Sequence, residues 1–389
     1  MLVFPAIVIP LTMRMNMDMA GVLGLSFWMY LLFGCTALPW GIIADRWGGR
    51  ALMLIYYTGA GLSGLAAALC LNSPLGLTLA LAALGLFSGI YHPTGLGIIS
   101  KEIKRVSVGM GVNGMFGNLG LATAPLLTGL VNWLWGPRAA YIILGGMNLL
   151  GLLLMAVYPI YTARQTREVK KSEENGLIGA FIILLVAMML GGIVYRAATV
   201  ILPAYFELKN QALVMWLSNL VHADLSQNLV ATTVTSLIFL IGMLGQYTGG
   251  RFAERFDPRI GYLIFFGITG PPALLMAYAG NFMLVALALW YFFFLLGMQP
   301  MENTLVAKFT PRRFHHSAFG TKFVMTFGVG ALAVKIVAAI ESNYYIEAVF
   351  LFIAAISLIA IVAILLLIIR TRAPVPAGKF KPAAPQPSG

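Results

Sequence analysis

Charge is scarce in this sequence. Asp, Glu, Lys and Arg make up 10 % of its 389 residues, where a soluble globular domain carries about 25 %. With 60 % hydrophobic residues, the chain has too little polar surface to wrap a water-exposed fold. Cysteine is scarcer still. Cys35 and Cys70 offer neither a disulfide framework nor metal-ligand spacing, and both read as packing residues. There are four histidines, and His92, His315 and His316 stand near no acid pair or nucleophile, which argues against a membrane enzyme. No Gly-x-x-x-x-Gly-Lys-Ser/Thr loop and no sizeable polar domain occur, so ATP hydrolysis by a P-loop is excluded. No cofactor or metal is expected.

What remains is long apolar runs. Eleven reach membrane-spanning length, at about 20–43, 51–71, 75–100, 107–134, 137–160, 177–204, 228–249, 260–279, 282–308, 316–340 and 344–369. A twelfth, residues 1–13, would cover only ~20 Å of a ~30 Å hydrocarbon core. The expectation is a chain that begins inside its first helix. That segment lacks a basic n-region and a small-residue cleavage site, so it does not read as a signal peptide.

The net charge of +12 would suit nucleic acid if it formed one patch. It does not. With the first helix running outward, nineteen of the 25 basic residues fall on inner loops and the tail. They are Arg46 and Arg50; Lys101, Lys104 and Arg105; Arg164, Arg167, Lys170 and Lys171; Arg251, Arg255 and Arg259; Lys308, Arg312 and Arg313; Arg370, Arg372, Lys379 and Lys381. Arg14, Arg138 and Lys209 stay outside, and Arg196, Lys322 and Lys335 lie within helices. This is the positive-inside pattern. It places the chain in the inner cell membrane, with loops 2–3, 4–5, 6–7, 8–9 and 10–11 and the carboxy terminus cytoplasmic. The partners implied are the lipid bilayer, a small-molecule substrate and protons, with no nucleic acid, in a monomer.

The polar stretch 161–176 reads as a cytoplasmic linker between two six-helix bundles, residues 1–160 and 177–369. The Pro/Ala-rich tail 370–389 reads as disordered. Residues 205–227 form a long outer connection with apolar positions at helical spacing beside Trp216. They suit either a short interfacial helix or an outward extension of the seventh helix.

The two halves echo each other. "GIIADRWGGR" at 41–50 aligns without a gap on "GRFAERFDPR" at 250–259, pairing Gly41 with Gly250, Asp45 with Glu254, Arg46 with Arg255 and Arg50 with Arg259. "YHPTGLGIISKE" at 91–102 overlays "MQPMENTLVAKF" at 298–309, with Pro93 on Pro300, and "FGNLG" at 116 echoes "FGVGA" at 327. A parallel duplication of this kind places a substrate at mid-membrane between the repeats.

Asp45 opposes the negative end of its own helix, so it needs a partner. The amino end of the eleventh helix, near Ser317, would supply one, and Gly41 is expected to let helices two and eleven approach. The result is a latch at the inner face.

"GIIADRWGGR" resembles the loop between the second and third helices of the major facilitator superfamily, Gly-x-x-x-Asp-Arg-x-Gly-Arg-Arg/Lys. Gly41, Asp45, Arg46, Gly48 and Arg50 match, while Gly49 stands where a basic residue is usual. Glu254 and Arg255 occupy the equivalent positions of the second half. The fifth helix, "GMGVNGMFGNLGLATAP", is similar to the glycine-rich fifth helix of these transporters, Pro125 included. "YHPTG" and "QPMENTLVAKFTP" resemble fosmidomycin-resistance-type exporters. The resemblance implies an all-α polytopic membrane protein of two pseudo-twofold-related six-helix bundles that works by alternating access.

Ionisable groups within a membrane are costly and usually functional. Arg196 lies ~12 Å from the outer end of the seventh helix, and its guanidinium stays charged. Glu302 and Lys322 each lie ~10 Å from inner helix ends, so they are level and can pair. Glu302 and His92 are candidate proton carriers. Arg196, Lys322, Lys335, Gln299, Asn113 and Asn118 are candidate substrate contacts. Structural readings stand beside these: an ion pair for Glu302 and Lys322, a carbonyl freed by Pro93 for His92, outward snorkelling for Lys335, and interhelical bonding for the two asparagines. The function expected is a proton-coupled secondary transporter of an anionic or amphipathic solute, with drug efflux as one form. The alternatives are an organic-anion uptake symporter, a non-transporting membrane sensor and a membrane enzyme.

Overall fold

In hydrocarbon no water is available to a bare peptide group, so each apolar run must close its own backbone hydrogen bonds as a helix. A computed structural model describes residues 1–102, 106–158, 178–310 and 315–371, and among them there are helices and no strands. The linker 161–176 and all of the tail 370–389 beyond Thr371 lie outside the described residues.

The chain opens with α1 (Val3–Ala6) and α2 (Val8–Met15), then turns through 109° into the second run. That run is divided into α3 (Met19–Leu25), α4 (Phe27–Cys35) and α5 (Ala37–Trp47). Its breaks have local causes. Ser26 Oγ donates to the Leu23 carbonyl (2.8 Å) and Thr36 Oγ1 to the Leu32 carbonyl (2.6 Å), and such back-bonding bends helices. Then come α6 (Gly49–Leu69), α7 (Pro74–Ser88), α8 (Tyr91–Glu102), α9 (Val106–Trp135) and α10 (Pro137–Val157).

The second half begins with α11 (Ile178–Lys209), which is longer than the run at 177–204, and a separate short α12 (Gln211–Val221). Both readings of the 205–227 connection therefore hold in part. Leu213 and Val214 of α12 are buried, and Trp216 packs edge-on against Phe282. The remaining helices are α13 (Gln227–Arg255), α14 (Pro258–Met276), α15 (Asn281–Gly297), α16 (Gln299–Phe309), α17 (His315–Phe323), α18 (Leu332–Asn343) and α19 (Ala348–Arg370). A π-helical turn, Val324–Gly328, and a 3₁₀ turn, Val329–Ala331, join α17 to α18. Among the described residues nine helices are long and apolar enough to cross a membrane.

The sequence echoes reappear as matching contacts. α7 gives way to α8 just before Pro93, and α15 to α16 just before Pro300. A Cβ on Gly41 would sit 3.3 Å from Pro93 Cβ, and one on Gly250 would sit 3.9 Å from Pro300 Cβ. The aligned glycines thus face the aligned prolines. This corrects one expectation: Gly41 relieves crowding against α8 of its own half. The approach between the second and eleventh runs is instead made by Gly320, whose Cβ would lie 2.9 Å from Leu38.

The halves meet along α9 and α13, along α4 and the π turn, and at both ends of the second and eleventh runs through α3–α18 and α5–α17. Outside the spans, Glu347 pairs with Lys209. Burial alone would raise its carboxyl pKa, but the Lys209 hydrogen bond and charge outweigh that and hold it below the usual range.

Small residues set the helix spacing where lipid supplies no hydrophobic drive. A Cβ on Gly249 would stand 1.8 Å from the Gly297 carbonyl, and one on Gly245 1.9 Å from that of Phe293. Gly249→Leu is expected to lower the unfolding temperature in detergent by the equivalent of about 1–3 kcal/mol or more. Gly267→Leu, where nothing lies within 4 Å, should change it by less than about 0.5 kcal/mol.

Candidate functional site

Where α4, α11 and the π turn cross, there is no room for side chains. A Cβ on Gly34 would come within 2.1 Å of Gly328 N, and one on Gly192 within 2.3 Å of the Thr326 carbonyl oxygen. Gly34 and Gly328 bring the two halves to backbone contact, and Gly192 does the same for α11 and the π turn within the second half. One turn along α11 from Gly192 stands Arg196.

Arg196 is only 6 % exposed. Its guanidinium carbon lies 3.8 Å from the centroid of the Tyr30 ring on α4 of the opposite half. Its Nε has no hydrogen-bond partner, and no carboxylate among the described residues forms an ion pair with it. A desolvated cation–π contact contributes about 2 kcal/mol, whereas burying an ion costs several. The site is therefore short of negative charge.

Against a neighbouring turn of α11 lies the pair foreseen from sequence. Lys322 Nζ stands 3.2 Å from Glu302 Oε2, and both residues are buried. Tyr262 donates its hydroxyl to Glu302 Oε1 (3.1 Å), and Lys322 also donates to Asn303 Oδ1 (2.6 Å). A Cβ on Gly191 would be 3.7 Å from Glu302 Oε1, so the carboxylate lies against α11 five residues, ~7.5 Å along the axis, from Arg196.

The amide candidates divide. Asn118 Nδ2 donates to Gln246 Oε1 (2.5 Å), and Gln246 Nε2 donates to Gln299 Oε1 (2.9 Å). One relay thus runs from α9 through α13 to α16, across the two halves. Asn113 accepts from the Tyr91 hydroxyl (3.0 Å) within its own half. His92 is packed among Phe33, Tyr91 and Phe323. Lys335 does not join this group: it is exposed and stands over the Phe27 ring at 5.1 Å.

At the face carrying the basic loops, Gly48 ends α5 at φ +88°, a conformation that requires glycine. Arg46 is exposed, and Arg50 is half-buried with its Nε unpartnered. The Asp45 side chain lies outside the described residues. In the second half Glu254 and Arg255 are exposed. The residue that is held there is Arg259, the counterpart of Arg50. It is buried, pairs with Asp257 Oδ2 (2.5 Å) and donates to the Thr371 carbonyl (3.1 Å).

At the opposite face, Asn228 donates to the Ala6 carbonyl (2.7 Å) and to Glu207 Oε2 (2.8 Å), and accepts from Asn132 Nδ2 (2.9 Å). Ser236 Oγ accepts from the Leu126 backbone N–H (2.7 Å). The halves are thus tied at both faces. Sequence reasoning missed Gln246, Asn228, Glu207, Tyr30 and Tyr262. Gln246 and Asn228 were polar residues inside an apolar run, which is a usable signal. Glu207 fell past the expected helix end at 204, and nothing marks which of fifteen tyrosines will meet a charge.

A family model described as Major Facilitator Superfamily matches residues 1–223 and again 208–388. No curated protein sequence matches the chain. Among solved structures, the chain is similar to a mutant of the nucleoside transporter NupG, with a TM-score of 0.74 and 15 % identity over 94 % of each chain. It is also similar to a POT family transporter in complex with a thioalcohol-conjugated peptide, with a TM-score of 0.75 and 14 % identity over 95 % of this chain and 93 % of that one. A third is a bacterial homolog to the human lysosomal transporter Spinster, inward-facing and unoccupied, with a TM-score of 0.68 and 14 % identity over 94 % of each. At these identities the likeness is one of fold.

Removing one member of a buried ion pair strands the other. Lys322→Met is expected to destabilise the protein by about 3–5 kcal/mol, with Lys322→Met plus Glu302→Gln regaining most of that. Thermal unfolding across this double-mutant cycle checks it; additive losses would show that the pair is not coupled.

Proposed function

Because the chain belongs to the major facilitator superfamily, we propose that it is a secondary active transporter moving an anionic or amphipathic organic solute by coupling it to protons. The observation that carries this reading is Arg196, a buried guanidinium with a free Nε and no ion-paired carboxylate among the described residues. Arg196 and Lys322 against Glu302 leave one net positive charge in the buried group. A bound carboxylate or phosphonate would neutralise it, accepting from Arg196 in the geometry guanidinium favours. Occluding the neutral complex then costs less than occluding the empty site, so the solute promotes closure.

Glu302 is the proposed proton carrier. Its protonation would dissolve the Lys322 pair and raise the positive charge facing the solute, while its deprotonation would restore the pair. Proton and solute are therefore coupled through one local charge. His92 is assigned to the wall rather than the proton path, because aromatic rings surround it. Gln299, Asn118 and Gln246 form the polar seam along which the halves part. Bundles 1–160 and 177–369, joined by the linker 161–176, are proposed to rock about this centre. The basic loops would be cytoplasmic in an inner membrane, by the positive-inside rule. The Arg46 and Arg50 region, docking α5 against α17, would close the cytoplasmic face; the Asn228 cluster would close the other.

The test is flux in proteoliposomes under an imposed pH step of either sign, against a panel of organic anions. The wild type should move solute uphill in the direction in which protons flow, because protonation of Glu302 raises the positive charge facing the anion. Arg196→Ala should lose about 10- to 100-fold in apparent affinity, the loss expected for a hydrogen bond to a charged group. Glu302→Gln should keep solute exchange but lose the response to the pH step. Wild-type behaviour in both variants would remove the site, and uphill movement of solute against incoming protons would overturn this sign of coupling.

A further inference from the structure

The rings beside Arg196 form one connected run that the charge argument leaves unexplained. Phe33 on α4 lies 5.8 Å from His92 on α8 and 5.7 Å from Phe327 in the π turn. His92 stacks on Phe323 at 5.7 Å with 18° between the planes, and Phe323 stacks on Phe327 at 5.6 Å and 20°. Tyr195, next to Arg196, closes the run against Phe327 at 6.5 Å. Tyr30, which carries the guanidinium, is three residues before Phe33 and shares its helix face.

Two of these contacts, Phe33–Phe327 and His92–Phe323, join opposite halves. They must break when the halves separate. Near-parallel faces then open toward each other, and a flat ring restores on each side the stacking that was lost. An aliphatic group of equal size fills the volume but cannot do so. The π turn also carries a buried polar atom without a hydrogen-bond partner among the described residues, Thr326 Oγ1. A π turn is a common site of ligand contact, because its wide ring exposes backbone and shifts at little cost.

We infer that the solute is a planar aromatic anion, its ring taken between His92 and Phe323 and its charged group by Arg196. This rests on the anion reading of Arg196 above and adds the shape of the rest of the molecule. Phe323 then determines specificity, whereas Arg196 serves any anion.

Matched carboxylates separate the two claims. The full chain in proteoliposomes is given benzoate against cyclohexanecarboxylate, and 2-naphthoate against decahydro-2-naphthoate, with apparent KM read from flux and binding read from solute-induced thermal stabilisation. The wild type should favour the aromatic member by about tenfold, equivalent to about 1.4 kcal/mol. Phe323→Leu should reduce that ratio to near one, and Phe323→Tyr should restore it. If both members of each pair are handled equally and Arg196→Gln abolishes both, the anion site stands and the aromatic inference is overturned. If the wild type binds none of the four, both readings are overturned together.

Discussion

A guanidinium held away from water, with no ion-paired carboxylate among the described residues, is the feature around which the rest of this molecule is arranged. Arg196 cannot shed its charge, and burial alone would expel it toward solvent. It stays because α4, α11 and the π turn are locked to backbone contact by Gly34, Gly192 and Gly328, and because Tyr30 offers a ring face from the other half. On the reading proposed here, the packing that joins the halves also creates the need for an anion, and a bound anion would lower the cost of closing the site.

The duplicated sequence sets the frame for this centre. The same glycine meets the same proline in each half, at Gly41 with Pro93 and at Gly250 with Pro300. Those contacts fix how the second run leans on the fourth and the eighth on the tenth. The centre itself breaks the symmetry. Where the second half has Glu302, the first has Gly95, and where it has Gln299, the first has His92. Charge is gathered on one side of the interface and flat rings on both, so one half can hold the charged group while the two halves together clasp the remainder. Contacts join the halves at both faces, through α5–α17 and through Asn228.

Much of the architecture was legible, for a plain reason. Run length and the demand that each peptide group bond internally leave a hydrocarbon-embedded chain few options. The Glu302–Lys322 pair was legible because depth along a helix follows from residue count. Lys335 satisfied the same depth argument and still stands exposed, since depth says nothing about which way a side chain faces. The partner of Gly41 was misassigned because a glycine in sequence announces close approach without naming what approaches. The Asn228–Glu207 cluster was missed because an apolar run ends where hydropathy falls, while α11 continues five residues further to Lys209.

The central claim is that solute binding neutralises Arg196. Charge displacement on a solid-supported membrane reads this directly, when a mobile organic anion is added to reconstituted protein at constant pH. The account predicts a rapid, saturable movement of negative charge into the protein that is absent in Arg196→Ala. An equal displacement in that variant would contradict the account, as would solute flux in the wild type with no such displacement.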